Sequence, residues 1–419
     1  MSLLLKCDLS AGLSSAHLAN PAGILTLIFN CGSLPAMMTQ YATTAGHRPS
    51  APPPFSLSVA GAVLSHGHSP LSFSLQEGEC LALFGLSDIG NTRRLLVDTL
   101  AGYRPLTSGQ ITVGGQNVTD RPAGSRGIAI VSRQEILFDH LTVRQNIAFP
   151  LRARSIPASD LRRLTNERLA LLGLDSVADV RPPALSEGCK FRTALARALA
   201  TDPVVIVLDD VFSGLDTETR RDIHLRLNRL RRARSLSTLL LTQDRSDAFA
   251  AASTIGVMAD GELLQTGTPA MLIERPSSAR IASAMGDANV LVGLALSVSD
   301  DIADVRLACG AEMSAVADPS LSEGDLVELC IRPGQIAPLF QRGSSGFQEE
   351  TEGCLPATLA EITRPGDITA LRFRLADGTE LVVHRPAGTL APGISPGCSA
   401  LLAWRGENAL AFPSDGKRG

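Results

Sequence analysis

Apolar and polar positions follow two different periods between residues 55 and 288. Alternating apolar residues over 55–59 predict a strand. Continuous apolar runs are typical of strands buried on both faces. Such runs occupy residues 80–84 and 204–208, and residues 235–242 are another β-rich run. Residues 141–185 instead have apolar positions three and four apart, which is the period of a helix. The succession of strands and helices predicts an α/β domain.

The pattern changes after Asn289, where short alternating runs replace the helical periods. Turn signals such as Asp377-Gly378 and Pro392-Gly393 separate these runs. Short strands at that spacing are typical of a small barrel. The sequence therefore predicts four parts, which are an N-terminal extension at residues 1–51, an α/β domain at 52–288, a β-barrel domain at 289–414 and a tail at 415–419.

The first 51 residues show no clear periodicity and are followed by three prolines. This composition is typical of a disordered or loosely attached extension. Its longest apolar stretch, residues 22–29, is far shorter than the roughly 20 residues of a membrane-spanning helix. It also lacks the basic flank and the small-residue cleavage site of a signal peptide. We therefore expect any role at a membrane to come through a partner.

Charge and cysteine usage exclude several classes of function. With 38 Lys and Arg against 42 Asp and Glu, the formal net charge is −4. We expect no nucleic-acid partner, because such binding needs a basic surface. The eight cysteines form no CxxC pair, which favours reduced, buried thiols over a zinc site or a disulfide framework. Lysine occurs only at Lys6, Lys190 and Lys417.

A glycine-containing loop connects the apolar run at 80–84 to a predicted helix at 93–100. Backbone N–H groups at a helix N-terminus bind phosphate, glycines allow the backbone to approach it, and a hydroxyl can bind the accompanying Mg²⁺. We interpret the loop as a phosphate-binding site. Its residues are Gly85, Leu86, Ser87, Asp88, Ile89, Gly90, Asn91 and Thr92.

Two further segments follow in order along the chain. Residues 185–199 read LSEGCKFRTALARAL, and residues 204–216 read VVIVLDDVFSGLD. With the glycine loop, they resemble the ATP-binding subunits of ABC transporters, whose motifs are GxxxxGK[ST], LSGGQ and an apolar strand ending in Asp-Glu. Residues 331–333 and 375–381 are similar to the C-terminal barrel of importer ATPases, especially those for polyamine and iron uptake. The resemblance implies a RecA-like P-loop core with an inserted helical subdomain at about 141–185, followed by a small TOBE-like β-barrel.

The resemblance further implies that the chain binds ATP and Mg²⁺. Asp209 and Thr92 would hold the metal, and Asp210 would polarise the attacking water. Arg133 stands where the family has a glutamine, and Gln243 stands where it has a histidine. Arg133 either contacts phosphate as a cation or is an exposed loop residue.

Other implied contacts concern adenine and partner subunits. His66 either stacks on adenine or is an exposed loop histidine. Ser186 and Gly188 would cap the γ-phosphate held by a second subunit in a head-to-tail dimer, whose contact loop includes Asp216. The implied partners are integral-membrane permease subunits and either a second copy or another ABC ATPase. The implied location is cytoplasmic, on the inner face of a bacterial membrane.

Several positions depart from the family's catalytic pattern together. They are Asn91 for the lysine, Arg133 for the glutamine, Glu187 for a glycine, Asp210 for the glutamate and Gln243 for the histidine. The segment from Gly90 to Gly102 is also two residues longer than usual, so an alternative alignment places Arg93 at the lysine. The chain either couples ATP binding and hydrolysis to solute import, or is an impaired pseudo-ATPase that supports an active ABC ATPase. We expect weak hydrolysis by the chain alone.

Overall fold

A computed structural model describes residues 55–85, 89–133, 137–340 and 353–414, all within one compact unit, Pro53–Gly419. The predicted N-terminal extension, the predicted tail and the predicted phosphate contacts Leu86, Ser87 and Asp88 lie outside the described residues. The exact boundaries of the four predicted parts stay predictions.

Two sheets organise the α/β part of the chain. The smaller is antiparallel and consists of β1 (Phe55–Val63), β2 (Leu71–Gln76), β4 (Ser108–Val113) and β5 (Gln116–Asn117), in the order β2-β1-β4-β5. The larger consists of β3 (Cys80–Gly85), β6 (Ile128–Ser132), β7 (Val205–Asp209), β8 (Ser237–Thr242), β9 (Thr254–Ala259) and β10 (Glu262–Gly267). Its order is β10-β9-β3-β8-β7-β6, and all neighbours are parallel except the β9–β10 hairpin.

The helices of the described residues all lie in this part of the chain. They are α1 (Ile89–Ala101), α2 (Val143–Ala153), α3 (Ala158–Leu172), α4 (Glu187–Leu199), α5 (Thr217–Arg234), α6 (Arg245–Ala251), α7 (Pro269–Glu274) and α8 (Ala279–Gly286). Short 3-10 turns occupy Asp175–Val177, Pro182–Ala184, Pro333–Gln335 and Gly406–Asn408.

Strand β7 shows how the apolar runs form two cores. Val205 and Val207 belong to the cluster that includes residues of β1 and α1, whereas Ile206 and Leu208 belong to the cluster that includes residues of α2 and α4. Successive side chains of a strand point to opposite faces, so a strand covered on both faces is apolar throughout. Packing on both faces accounts for the four apolar residues 205–208, and β7 ends at the polar residue Asp209.

Helix α1 begins earlier than the sequence predicts. We expected the helix to begin at Arg93, but it begins at Ile89, so Gly90, Asn91 and Thr92 lie in its first turn. Only residues 86–88 separate it from β3. The prediction assigned these positions to the phosphate-binding loop and began the helix after it. The low helix propensity of glycine and asparagine does not prevent the earlier start, because tertiary context overrides propensity. The early start decides which side chains of α1 face the neighbouring strands.

The segment after β6 leads into the helical insertion through a local polar network. Thr142 caps α2 in a capping box with Gln145. Buried Asn146 accepts a hydrogen bond from the Phe138 N–H and donates to the carbonyl oxygens of Phe138 and Leu141. Since each bond satisfies a backbone group next to α2, residues 138–142 have a defined path into that helix.

The C-terminal part confirms the predicted barrel. A closed barrel, in the order β11-β12-β13-β20-β14, consists of β11 (Asn289–Ser299), β12 (Ile302–Leu307), β13 (Glu312–Ala317), β14 (Leu326–Ile331) and β20 (Ala409–Pro413). A second sheet, in the order β15-β19-β16-β17-β18, consists of β15 (Ala337–Phe340), β16 (Cys354–Thr363), β17 (Ile368–Arg374), β18 (Glu380–Pro386) and β19 (Ser399–Ala403). The two share one apolar cluster.

Candidate functional site

The C-terminal end of β7 meets the first turns of α1 through an arginine. Arg93 Nε lies 3.1 Å from Asp209 Oδ1, and Arg93 Nη1 lies 3.4 Å from Asp210 Oδ2. The three side chains are 21%, 15% and 28% exposed, so these ion pairs are only partly screened by water. One guanidinium group therefore bridges the two carboxylates that were predicted to act on metal and water.

Asp209 is the more buried of the two carboxylates. Its Oδ2 accepts a hydrogen bond of 3.0 Å from Ser132 Oγ, at the end of the neighbouring strand β6. Its Oδ1 is buried and accepts no aligned hydrogen bond, although it lies close to Arg93. Burial raises the pKa of Asp209 above its ordinary value, while Arg93 and Ser132 act in the opposite direction. The cation near Asp209 thus offsets only part of the cost of burying its charge.

The backbone at Asp210 has an unusual conformation for a residue with a side chain. Its φ is +51°, and its N–H donates to the Leu241 carbonyl oxygen of β8 at 3.0 Å. Aspartate tolerates this left-handed region better than most residues, because its short polar side chain interacts locally with the backbone. The chain therefore turns sharply directly after β7, which places Asp210 within reach of Arg93.

The structure does not place Thr92 and Asn91 beside this pair of aspartates. Thr92 is buried, and a methyl group added at Gly261 would lie 3.7 Å from Thr92 Oγ1 and 3.8 Å from His68 Nδ1. Gly261 follows β9, which lies on the other side of β3 from β8 and β7. Asn91 is exposed. Thr92 thus faces the β9–β10 turn, and its role as a metal ligand stays a prediction.

The arrangement of donors does not fit a divalent ion. A hard cation such as Mg²⁺ requires near-octahedral oxygen ligands. Here the guanidinium of Arg93 lies against both carboxylates, and the hydroxyl of Ser132 already donates to Asp209. No group of three His, Cys, Asp or Glu side chains that could hold a metal occurs among the described residues. A divalent ion could approach both carboxylates only after Arg93 had moved.

A cavity of about 800 Å³ opens beside Arg93. Three arginines and three aspartates line it, so their formal charges balance. They are Arg93, Arg94, Arg133, Asp98, Asp209 and Asp210. Ser132 and Tyr103 also line it. A second cavity, of about 440 Å³, shares Arg133 with the first and is lined by Glu187, Lys190 and Gly214. Residues from four separated sequence segments therefore meet around two neighbouring cavities.

Comparison with known proteins identifies the family of this chain. Residues 68–213 match the family described as ABC transporter. The spermidine/putrescine import ATP-binding protein PotA of Rubrobacter xylanophilus is 32% identical over 351 residues, which cover 83% of this chain and 90% of that protein. The chain belongs to the ATP-binding subunits of ABC import systems. The resemblance inferred from the motifs and the α/β-plus-barrel fold class are thereby confirmed.

Other relatives of this ABC subunit differ in the solute that their names state. The spermidine/putrescine import ATP-binding protein PotA of Thermobifida fusca is 30% identical over 84% of this chain and 90% of that protein. The Fe(3+) ions import ATP-binding protein FbpC of Rhizobium etli is 35% identical over 66% of this chain and 77% of that protein. The solved structure of CbiO1 from Clostridium perfringens, part of an ABC transporter complex, is 20% identical with a TM-score of 0.48, over 55% of this chain and 94% of that chain.

Arg133 of this ABC subunit contacts the loop that follows β7. Its Nη1 donates to Ser213 Oγ at 3.1 Å, and its backbone N–H donates to the Asp209 carbonyl oxygen at 3.2 Å. A methyl group at Gly214 would lie 3.1 Å from Arg133 Nη2, so a larger residue there would disturb the contact. The side chain remains exposed. Arg133 therefore connects the segment after β6 with the loop at 213–216, and a contact with phosphate stays a prediction.

The signature residues have structural tasks within one subunit. Ser186 caps α4 by accepting a hydrogen bond from the Cys189 N–H at 3.3 Å. Asp216 caps α5 by accepting one from the Thr219 N–H at 2.9 Å, and the Thr219 hydroxyl is the main cause that lowers the pKa of Asp216. A methyl group at Gly188 would lie only 2.7 Å from Thr219 Cγ2. These residues therefore join α4 to α5 irrespective of any role in a dimer.

Two further observations concern the predicted electrostatics and the switch position. Glu187 forms an ion pair with Lys190 Nζ at 2.8 Å, which offsets the negative charge that we expected to repel phosphate. Gln243 is exposed between β8 and α6, and His66 is exposed in the turn between β1 and β2. Neither is brought to the cavities by the contacts of the described residues, and their roles stay predictions.

A cluster of polar side chains contacts Phe212, the residue before the loop at 213–216. His224 Nε2 lies 3.0 Å from Asp247 Oδ1, and the His224 ring stacks on Phe212 at a centroid distance of 4.1 Å. Arg220 Nη1 lies 2.7 Å from Asp244 Oδ2, and its Nη2 donates to the Phe212 carbonyl oxygen at 3.3 Å. The cluster links the segment after β7 to the segment after β8. Sequence reasoning missed it, because no motif marks these residues.

Proposed function

We propose that this subunit couples ATP binding to the import of a small polar or charged solute through permease subunits on the inner face of a bacterial membrane, and that its own hydrolysis is slow. Family membership supports the first part. The ion pairs of Arg93 with Asp209 and Asp210 support the second. The names of the relatives state solutes as different as polyamines and iron(III), so the proposal extends only to the class of solute.

Slow hydrolysis follows from what the catalytic carboxylates contact. Phosphoryl transfer depends on positioned charges and on a group that orients the attacking water. Asp210 is held by Arg93 in a sharp backbone turn, and its carboxylate is one methylene shorter than a glutamate at this position. A displacement of roughly 1 Å can lower the rate by about 10²-fold. The ion pair with Arg93 must also break before Asp210 Oδ2 is available to orient the attacking water.

A groove between β6, α2 and α4 offers a docking surface for the permease. It encloses about 400 Å³ and is lined by Ile128, Ile130, Phe138, Phe149, Pro150, Arg154 and Arg197 among others. Phe149 is 45% exposed, and its ring lies 4.5 Å from that of Phe138, centroid to centroid. Exposed aromatic pairs bounded by polar residues are typical of protein interfaces. We assign this groove to a cytoplasmic segment of the permease. None of the helices that the structure describes is long and apolar enough to cross a membrane itself.

The test is a rate of phosphate release from ATP, measured for the purified subunit alone and together with its permease. We expect the subunit alone to release phosphate at well under ~1 per second, the lower end of ordinary enzyme turnover. Asp209→Asn is the control for contaminating ATPases, because it alters the site and leaves the rest of the surface intact. Turnover near ~1 per second that Asp209→Asn abolishes would contradict slow hydrolysis.

A second candidate, which the comparisons do not favour, is an impaired subunit that pairs with an active ABC ATPase and hydrolyses nothing itself. The two candidates predict different sets of ATPase subunits in the complex with the permease. Purification of the permease complex with a tagged subunit would recover two copies of this chain under the first candidate. Under the second it would recover one copy together with a different ATPase subunit, which intact-complex mass spectrometry distinguishes.

A further inference from the structure

The two aspartates at the end of β7 form a site that needs a cation. Asp209 and Asp210 are adjacent in sequence, and both are mostly shielded from water. Like charges so close together are destabilising unless a positive group lies between them. Asp209 is the less exposed of the two, with 15% of its side chain accessible, so water screens its charge only in part. Some cation must therefore accompany the pair when both carboxylates are ionised.

Arg93 already supplies that cation. Its planar guanidinium uses Nε toward Asp209 and Nη1 toward Asp210, so one group lies against both carboxylates. Guanidinium stays charged at every physiological pH and is only weakly hydrated, which suits a partly buried position. A metal ion would have to break both ion pairs and dehydrate. Binding of a divalent ion to the two aspartates is therefore less favourable than it would be without Arg93.

Of the two hydroxyls considered as further metal ligands, one is engaged by Asp209 and the other lies toward the turn after β9. Ser132 Oγ donates its proton to Asp209 Oδ2. Thr92 Oγ1 lies near Gly261, at the turn after β9. Arg93 also lines the cavity of about 800 Å³ together with Arg94 and Arg133, whose charges are balanced there by Asp98, Asp209 and Asp210. Arginine binds phosphate oxygens in a bidentate geometry, so a guanidinium group of this cavity can contact a polyphosphate without a metal.

We propose that Arg93 replaces the divalent ion of this site, so that Asp209 and Asp210 hold no metal and a nucleoside triphosphate binds equally well without one. The claim about nucleotide binding, called the nucleotide half, rests on the proposed function. The claim that the aspartates hold no metal, called the metal half, concerns the nucleotide-free subunit and rests only on the two carboxylates and Arg93. The two halves are tested by separate measurements.

The metal half is tested by titrating the nucleotide-free subunit with Mn²⁺ and following free Mn²⁺ by electron paramagnetic resonance. We expect the wild-type protein and its Asp209→Asn variant to bind Mn²⁺ alike. Arg93→Gln should gain a site of about 10⁻⁴–10⁻³ M, the range of weak carboxylate sites. That site should vanish again in Arg93→Gln combined with Asp209→Asn. Arg104→Gln is the control, because Arg104 is exposed and does not line the cavity beside Arg93.

The nucleotide half is tested with a fluorescent ATP analogue, titrated in EDTA and in Mg²⁺. We expect the two affinities of the wild-type subunit to agree within about twofold, and Arg93→Gln to lose most binding in EDTA. A wild-type Mn²⁺ site that Asp209→Asn removes would overturn the proposal. So would a tenfold or greater gain in affinity from Mg²⁺. Binding of nucleotide under neither condition would refute the nucleotide half and the proposed function together, while the Mn²⁺ titration would still decide the metal half. If Arg93→Gln fails to fold, the comparison of wild type with Asp209→Asn remains decisive.

Discussion

Replacing Arg93 with methionine tests the energetic role of the cation at the end of β7. The change removes the charge and keeps an unbranched apolar stem. Loss of one partner from a fully buried ion pair costs about 3–5 kcal/mol, whereas exposed pairs contribute about 0–1 kcal/mol. The side chains of Arg93, Asp209 and Asp210 are 21%, 15% and 28% exposed, between these limits. We therefore expect a loss of about 1–3 kcal/mol in the free energy of unfolding near neutral pH.

The loss should depend on pH in a defined direction. Burial raises the pKa of Asp209, and Arg93 opposes that shift. Without Arg93, the folded-state pKa rises further above the unfolded value. A carboxyl with a raised folded-state pKa favours folding at low pH, and this contribution is lost as the pH rises through the folded-state pKa. The deficit of Arg93→Met should therefore shrink as the pH falls from neutral toward about 4.

Urea unfolding followed by far-ultraviolet circular dichroism is the suitable assay. The helices of the described residues all lie between Ile89 and Gly286, so the helical signal reports on the α/β part. The single tryptophan, Trp404, packs against the apolar cluster of the barrel and the second sheet, so its fluorescence reports on that part instead. Arg94→Met is the control and should change the free energy of unfolding by less than about 0.5 kcal/mol. Equal stability of Arg93→Met and Arg94→Met, or a deficit that does not vary with pH, would refute the reasoning.

Three further substitutions test other contacts of the site. Gly188→Ala should cost about 1–3 kcal/mol in unfolding free energy, because its new methyl group would meet Thr219 Cγ2 at 2.7 Å; Thr219→Ser removes that methyl and should restore stability, and no rescue would argue against the clash. Asp247→Ala should cost about 1–3 kcal/mol, since Asp247 is 2% exposed and its loss leaves His224 Nε2 without its hydrogen-bond partner; thermal melts within ~1 °C of wild type would contradict this. Phe149→Asp should abolish co-purification with the permease and leave nucleotide binding unchanged, whereas retained co-purification would exclude the groove.

Local patterns were sufficient for the family and for most elements. Buried parallel strands read as apolar or β-rich runs, so β3, β7 and β8 could be predicted. The second five-stranded sheet could not be distinguished from the barrel. Both consist of short alternating strands, and the pairing partners of such strands are far apart in sequence.

The structure brings Arg93, Asp209 and Asp210 together, and the roles predicted for the site residues stay predictions. Motif order placed Asp209 and Asp210 at the end of a buried strand, as the structure has them. It offered Asn91 or Arg93 as the residue at the lysine position and could not choose between them. Ser132, which donates to Asp209, had no sequence signal at all, because it lies on a separate strand.

The sequence by itself determined the family, the α/β core and the barrel, because apolar period and motif order are local properties that survive substitution. Only the tertiary structure decided that Arg93, and not Asn91, faces the two aspartates. Each residue turns a helix by about 100°, so two additional residues rotate every later side chain by about 200°. Which side chain of α1 faces β7 therefore depends on where the helix begins and how it packs on the sheet. That rotation places a guanidinium between Asp209 and Asp210.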